Sequence, residues 1–271
     1  MDSLGTAVVT GASTGIGAIY ADRLARRGYD LVLVARQEER LQAVAAGVAH
    51  ATGRPAEILV ADLTNGDDLA RLEERLRTDP RVEILVNNAG ASLSGTIAES
   101  DPGRLEQMIR LNVLAPTRLV AAVVPPLVAR GHGAIVNLSS STALAPEWVH
   151  GVYSGTKAYV LNLSMKLQLE LAGTGVRVQV VLPGAVRTGI WEKAGTDIDT
   201  LPAHILMDAE AMVDAALAGL DAGEDVTIPS LPDMADWEIY QAARRALLPN
   251  LSRSTPAPRY RTHAAKAAGA Q

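Results

Sequence analysis

Six short runs rich in valine, isoleucine and leucine recur along the chain: TAVVT (6–10), DLVLVA (30–35), AEILVA (56–61), VEILVN (82–87), GAIVNLS (133–139) and VRVQVVL (176–182). Glycine, proline or polar turns bound each one, and longer stretches with helical character lie between them. Strands so continuously apolar are covered on both faces, which points to a parallel sheet. The intervening stretches suit crossover helices. Residues 66–78, for example, carry Asp67 and Asp68 in the first turn and Leu69, Leu72 and Leu76 on one stripe. The pattern predicts a doubly wound α/β fold over residues 1–248.

LNLSMKLQLEL (161–171) alternates apolar and polar residues, the period of a strand. Projected as a helix, however, Val160, Leu163, Leu167 and Leu171 make one arc, and Leu161, Met165 and Leu169 make a second. Two parallel strands need a crossover between them, so a helix is expected. Its second apolar arc points to a subunit contact, hence a homodimer or homotetramer. Residues 188–207 hold no sustained period and read as a lid over a site. A helix at 208–221, a strand in DVTIP and a helix at 234–248 follow, and 249–271 reads as a C-terminal tail.

Composition narrows the classes of partner. The 271-residue chain is 48% apolar with net charge −5, which suits a packed globule and argues against nucleic acid or an anionic membrane. It has no cysteine, so disulfides and thiol chemistry are excluded. The longest apolar run, LVAAVVPPLVA, is short and carries two prolines, so no membrane span is expected. A cytoplasmic location is expected. The five histidines, His50, His132, His150, His204 and His263, lack metal-ligand spacing, and no metal is expected. Nothing explains the absence of phenylalanine.

Two segments carry the chemistry. TGASTGIG (10–17) follows the first strand and opens a helix. Gly11 allows a sharp turn, Gly15 and Gly17 allow close approach, and the helix N-terminus faces phosphate. YSGTK (153–157) sets Tyr153 and Lys157 four residues apart, on one face of a helix.

With ADL (61–63), NNAG (87–90), Asn112 in LNVLAP, NLSSS (137–141) and PGAVRT (183–188), these segments resemble a short-chain dehydrogenase/reductase of the compact, single-domain branch, a Rossmann fold. The resemblance spans roughly 4–230 and implies hydride transfer between nicotinamide and a carbonyl or alcohol. It makes Tyr153 the general acid or base and Lys157 its neighbour, which lowers the phenol's pKa and holds the ribose. Bringing the phenol towards 7 requires about 4 kcal/mol of differential stabilisation. The family's serine lies thirteen residues before the tyrosine, which selects Ser140, with Ser139 and Ser141 as turn or pocket residues. Asn112 resembles the asparagine whose backbone oxygen positions a water.

The cofactor residues so implied are Gly11, Ser13, Thr14, Gly15, Ile16 and Gly17 in the first turn, and Arg36 and Arg40 after strand two. Asp62 and Leu63 follow strand three, Asn88, Ala89 and Gly90 strand four, and Pro183, Gly184, Val186 and Thr188 strand six. Asn88 and Gly90 are expected to line the ribose side of the adenosine, and a structural role pinning neighbouring strands is also open to Asn88. NAD-specific members carry an acid where Ala35 and Arg36 stand here. A guanidinium there grips a 2′-phosphate, so NADP(H) is expected. Trp148, His150 and Trp191 are candidate substrate contacts.

The leading expectation is therefore an NADP-dependent carbonyl reductase or alcohol dehydrogenase acting on a small molecule. A catalytically silent NADP-binding regulator is the alternative. A sugar-nucleotide epimerase fits less well, because its G-x2-G-x2-G turn and longer substrate domain are not present.

Overall fold

The computed structural model describes residues 3–260. The chain alternates strand and helix from its start: β1 (Thr6–Thr10), α1 (Gly15–Arg26), β2 (Asp30–Ala35), α2 (Glu38–Thr52), β3 (Ala56–Val60), α3 (Gly66–Thr78) and β4 (Val82–Asn87). Then come α4 (Pro102–Ile109), a π-helical turn (Arg110–Leu114), α5 (Ala115–Arg130), β5 (Gly133–Leu138), α6 (Gly151–Glu170) and β6 (Val176–Val181). Next are β7 (Ala185–Val186), α7 (Ile190–Ala194), β8 (Leu206–Met207), α8 (Ala209–Ala222), β9 (Val226–Thr227) and α9 (Met234–Ala246).

Seven strands form one sheet in the order β3-β2-β1-β4-β5-β6-β9, with every neighbouring pair parallel. The period of two sorts the strand side chains onto two faces. Ala7, Val9, Leu31 and Leu33 join Tyr20, Leu24, Leu41 and Leu217 in one core layer. Val8, Val32 and Val34 join Leu72, Leu119, Val123 and Leu167 in the other. This is the expected doubly wound arrangement. Chain direction across the sheet reverses between β1 and β4, and a crevice opens at their carboxyl ends.

The alternating segment 161–171 is helical, as expected, because α6 crosses over from β5 to β6. Its second arc is narrower than the pattern implies: Leu161 is buried, Met165 is half-buried and Leu169 is exposed. Pro102–Arg130 is the one helical run among the described residues long and apolar enough to cross a membrane by length and composition. No run of that length was expected. It arises because α4, the π turn and α5 join end to end, and its Leu119, Val120, Val123 and Leu127 are buried in the core.

The chain divides into two compact units at Ser230 and Leu231, rather than at the expected 248/249 boundary. The second unit contains α9, which buries only Gln241 and stacks Trp237 on Tyr240 with centroids 5.4 Å apart. Of the expected tail, residues 261–271, including His263, lie outside the described residues.

Candidate active site

Every loop that carries a predicted site residue leaves the carboxyl end of a parallel strand, so the sheet gathers them along one edge. At the first turn, Gly11 has φ +67° and Gly15 φ +56°, in the left-handed region that favours glycine. A methyl group at Gly17 would lie 2.3 Å from the Gly11 carbonyl oxygen, so only glycine lets α1 approach the turn. No acid stands in the first turn of α1, and Thr14 makes no side-chain cap. Its leading N–H groups are left for an anion. A methyl at Gly15 would meet Thr188 at 3.4 Å, which places the loop after β6 beside the turn. Turn and helix together fit the pyrophosphate of a dinucleotide.

Asn88 turns its side chain onto this loop, donating from Nδ2 to the Thr10 carbonyl at 2.8 Å and the Gly11 carbonyl at 3.3 Å. Its amide performs the expected structural role. Thr10, which the sequence reading passed over, binds the same junction: its hydroxyl accepts from the Asn88 and Ala89 N–H groups and donates to the Val86 carbonyl. A threonine at the carboxyl end of a fully buried strand was the available signal. Leu63 and Val186 belong to the buried core, so their side chains pack the scaffold rather than face a ligand.

After β2, the Arg36 guanidinium lies 3.6 Å from the Asp62 carboxylate. Burial pushes the Asp62 carboxyl up, but two hydrogen bonds from Thr64 and the charge of Arg36 outweigh it and hold the group below its usual value. Arg40 is exposed one turn further on.

Asn112 lies buried in the π-helical turn. A π turn is rare and frequent at functional sites. The side chain holds the loop after β4 by two bonds, donating to the Ala91 carbonyl at 2.8 Å and accepting from its N–H at 2.9 Å. Its amide also donates to Thr156 on α6 at 3.1 Å. A methyl at Gly90 would sit 3.4 Å from Asn112 Oδ1 and 3.5 Å from Lys157 Nζ. Gly90, Asn112 and Lys157 therefore surround one point.

Tyr153 and Lys157 share a face of α6, as their spacing predicts, with Nζ 5.8 Å from the ring centroid. Lys157 is buried and donates to the Leu138 carbonyl at 2.8 Å. Burial pushes its pKa down to about 8. Burial also pushes the Tyr153 phenol up to about 12, against a lowering by its hydrogen bond with Ser140. The expected drop towards 7 is thus not produced by the protein's own groups. Loss of solvation outweighs them, and the ammonium is turned to a main-chain carbonyl.

Ser140 is buried after β5. Its hydroxyl accepts from the Thr142 N–H at 3.2 Å and the Thr142 hydroxyl at 2.9 Å, and faces the Pro183 carbonyl at 3.4 Å. Ser139 donates to the Lys157 carbonyl, and the Ser141 N–H donates to Pro183 O. Both neighbouring serines are structural.

The three expected substrate contacts separate. His150 is buried with both ring nitrogens committed: Nδ1 accepts from Val152 N–H as the cap of α6, and Nε2 lies 2.9 Å from Ser100 Oγ. Nδ1 accepts, so the proton is on Nε2, and neither nitrogen is left for a substrate. Trp148 is 73% exposed and lies outside the core clusters. Trp191 donates its indole N–H to the Val186 carbonyl and, with Thr188, Gly189 and Ile198, lines a cleft of about 590 Å³.

A doubly wound sheet with an anion-binding turn and a tyrosine–lysine–serine–asparagine set defines a dinucleotide-dependent oxidoreductase class. The short chain dehydrogenase family model matches residues 5–199, and the chain belongs to this family. A short-chain dehydrogenase from Sphingobium yanoikuyae, solved in complex with NADPH, superposes with TM-score 0.92 at 49% identity, covering 95% of this chain and all of that one. The bulky-bulky ketone specific alcohol dehydrogenase from Comamonas testosteroni gives TM-score 0.88 at 42% identity over 95% of this chain and 99% of its own. An oxidoreductase of Staphylococcus epidermidis is 34% identical over 82% of this chain and 93% of its length.

Proposed function

We propose that this protein is an NADP(H)-dependent carbonyl reductase or alcohol dehydrogenase acting on a ketone or secondary alcohol. The observation that carries the reading is the convergence of Ser140, Tyr153, Lys157 and Asn112 around Gly90 and the end of β5. The NADPH complex of the Sphingobium yanoikuyae relative and the ketone specificity of the Comamonas testosteroni relative support it. When bound, the nicotinamide would supply the hydride.

The chain's own residues manage the proton. With its pKa raised to about 12, Tyr153 holds its proton at neutral pH, the form required to protonate a carbonyl oxygen. Ser140 Oγ–H donates to the same oxygen and orients it. Lys157, still largely protonated below its pKa of about 8, lies next to the phenol and stabilises the phenolate left after transfer. Asn112 keeps the Ala91 loop and α6 in register around it. Arg36, exposed after β2 and held by a loose 3.6 Å ion pair with Asp62, is the group for a 2′-phosphate.

The test is oxidation of NADPH against ketones and aldehydes of graded size, with Tyr153→Phe as control. We expect turnover to fall roughly 10²- to 10⁴-fold in the variant while NADPH affinity is kept. A folded variant with near-normal turnover removes Tyr153 from the mechanism. A wild type silent across the whole panel favours the regulatory alternative.

A further inference from the structure

Ser140 presents a hydrogen-bond inventory that its catalytic role alone does not explain. A serine hydroxyl has one proton to give and two lone pairs to accept with. Both lone pairs are claimed by one residue: Thr142 donates its N–H at 3.2 Å and its O–H at 2.9 Å. The Ser140 proton has the Pro183 carbonyl at 3.4 Å, beyond the usual range for O–H···O, and the Tyr153 phenol oxygen, whose pKa the Ser140 hydrogen bond lowers. The Thr142 hydroxyl has no second acceptor among the described residues, so donation from Thr142 to Ser140 is the arrangement that uses both protons.

We propose that Thr142 is a positioning residue that fixes the Ser140 hydroxyl as a donor towards the substrate oxygen. Its own main chain is anchored to the catalytic helix. Ser154, adjacent to Tyr153 on α6, donates its hydroxyl to the Thr142 carbonyl at 3.0 Å. Thr142 and Ser154 are both buried, so water does not compete for these bonds. The chain Ser154–Thr142–Ser140 sets the two proton donors, Ser140 and Tyr153, at a constant separation. It also rules out the rotamer in which Ser140 would accept from Tyr153 and spend the phenol's proton. Donation into Ser140 polarises its O–H and strengthens its next hydrogen bond. A hydroxyl two residues after the selected serine, in NLSSST, was the sequence signal.

The inference rests on the proposed carbonyl chemistry and is tested with Thr142→Val, which keeps the shape and removes the hydroxyl. With a ketone that the wild type reduces, kcat should fall about tenfold, the order set by one lost hydrogen bond. The Kd for NADPH should not change. Thr142→Ser should restore kcat. In a Ser140→Ala background, Thr142→Val should cost nothing further, because its effect passes through Ser140. Should the valine variant not fold, Thr142→Ala is read in the same way. An unchanged kcat, the same loss with Ser140 absent, or no rescue by serine overturns the inference while the carbonyl reading stands. A wild type that reduces no carbonyl and oxidises no alcohol overturns both.

Discussion

At the scale of single residues, the site is governed by how much solvation each polar group loses. Lys157 titrates at about 8 in the folded protein and near 10.4 in an unfolded chain. Below pH 8 both states hold the proton, and the folded state bears the whole cost of the buried charge. Between about pH 8 and 10.4 the unfolded chain binds more protons, so this residue makes stability rise with pH. The difference in urea midpoint between nucleotide-free wild type and Lys157→Met should therefore shift in favour of the wild type from pH 7 to pH 9.5. A difference that stays constant with pH would count against the buried ammonium. Arg36 illustrates the exposed case. Its side chain is 71% exposed and its ion pair with Asp62 is loose at 3.6 Å, so a 2′-phosphate displaces that contact at little cost. A charge-assisted hydrogen bond contributes about 1.5–3 kcal/mol, which predicts NADPH preferred over NADH roughly ten- to a hundredfold in kcat/KM. Arg36→Asp should reverse the order. Equal efficiency with NADH in the unmutated protein would sink the assignment.

At the scale of elements, the segment 188–207 is more structured than its lack of period implied. Its ends are tied by the two-stranded pairing of β7 with β8, Ala185 opposite Leu206 and Val186 opposite Met207. Between them α7 buries Ala194, whose carbonyl accepts from the Ser94 hydroxyl and N–H. A short pairing and one contact to the loop after β4 hold a flap that has little core of its own. Such a segment opens locally at low cost. Hydrogen exchange in 188–205 should be fast without ligand and slow on addition of NADPH and a ketone that is turned over. Slow exchange that ligand leaves unchanged would show a fixed wall rather than a lid. The helix α6 shows the opposite balance. His150 caps it, Ser164 and Asn137 join it to β5, and Tyr153 and Lys157 ride on a rigid element.

At the scale of the whole molecule, a homo-oligomer with twofold symmetry remains our proposal. Its support on α6 is reduced to Leu169, 75% exposed, and the partly exposed Tyr159, since Leu161 packs inside. Light scattering at micromolar concentration should give a mass of at least twice 28.5 kDa. A lone 28.5 kDa species would end the proposal.

The sequence by itself determined the architecture, because fully buried parallel strands must be apolar throughout and crossovers must be helical. It also determined that Tyr153 and Lys157 share a helix face, since they are a local pair four residues apart. What only the tertiary structure decided lies between distant segments. Asn88 serves Thr10 and Gly11 across 77 residues or more, and His150 is spent between Ser100 and the cap of α6. Thr142 gains its place from Ser140 and Ser154 together. The sign of the Tyr153 shift belongs here too: spacing shows that an ammonium is near, whereas desolvation depends on everything folded around it. Local periodicity encodes which face of an element is buried, but a hydrogen bond's partner is set by where the sheet brings separate loops together.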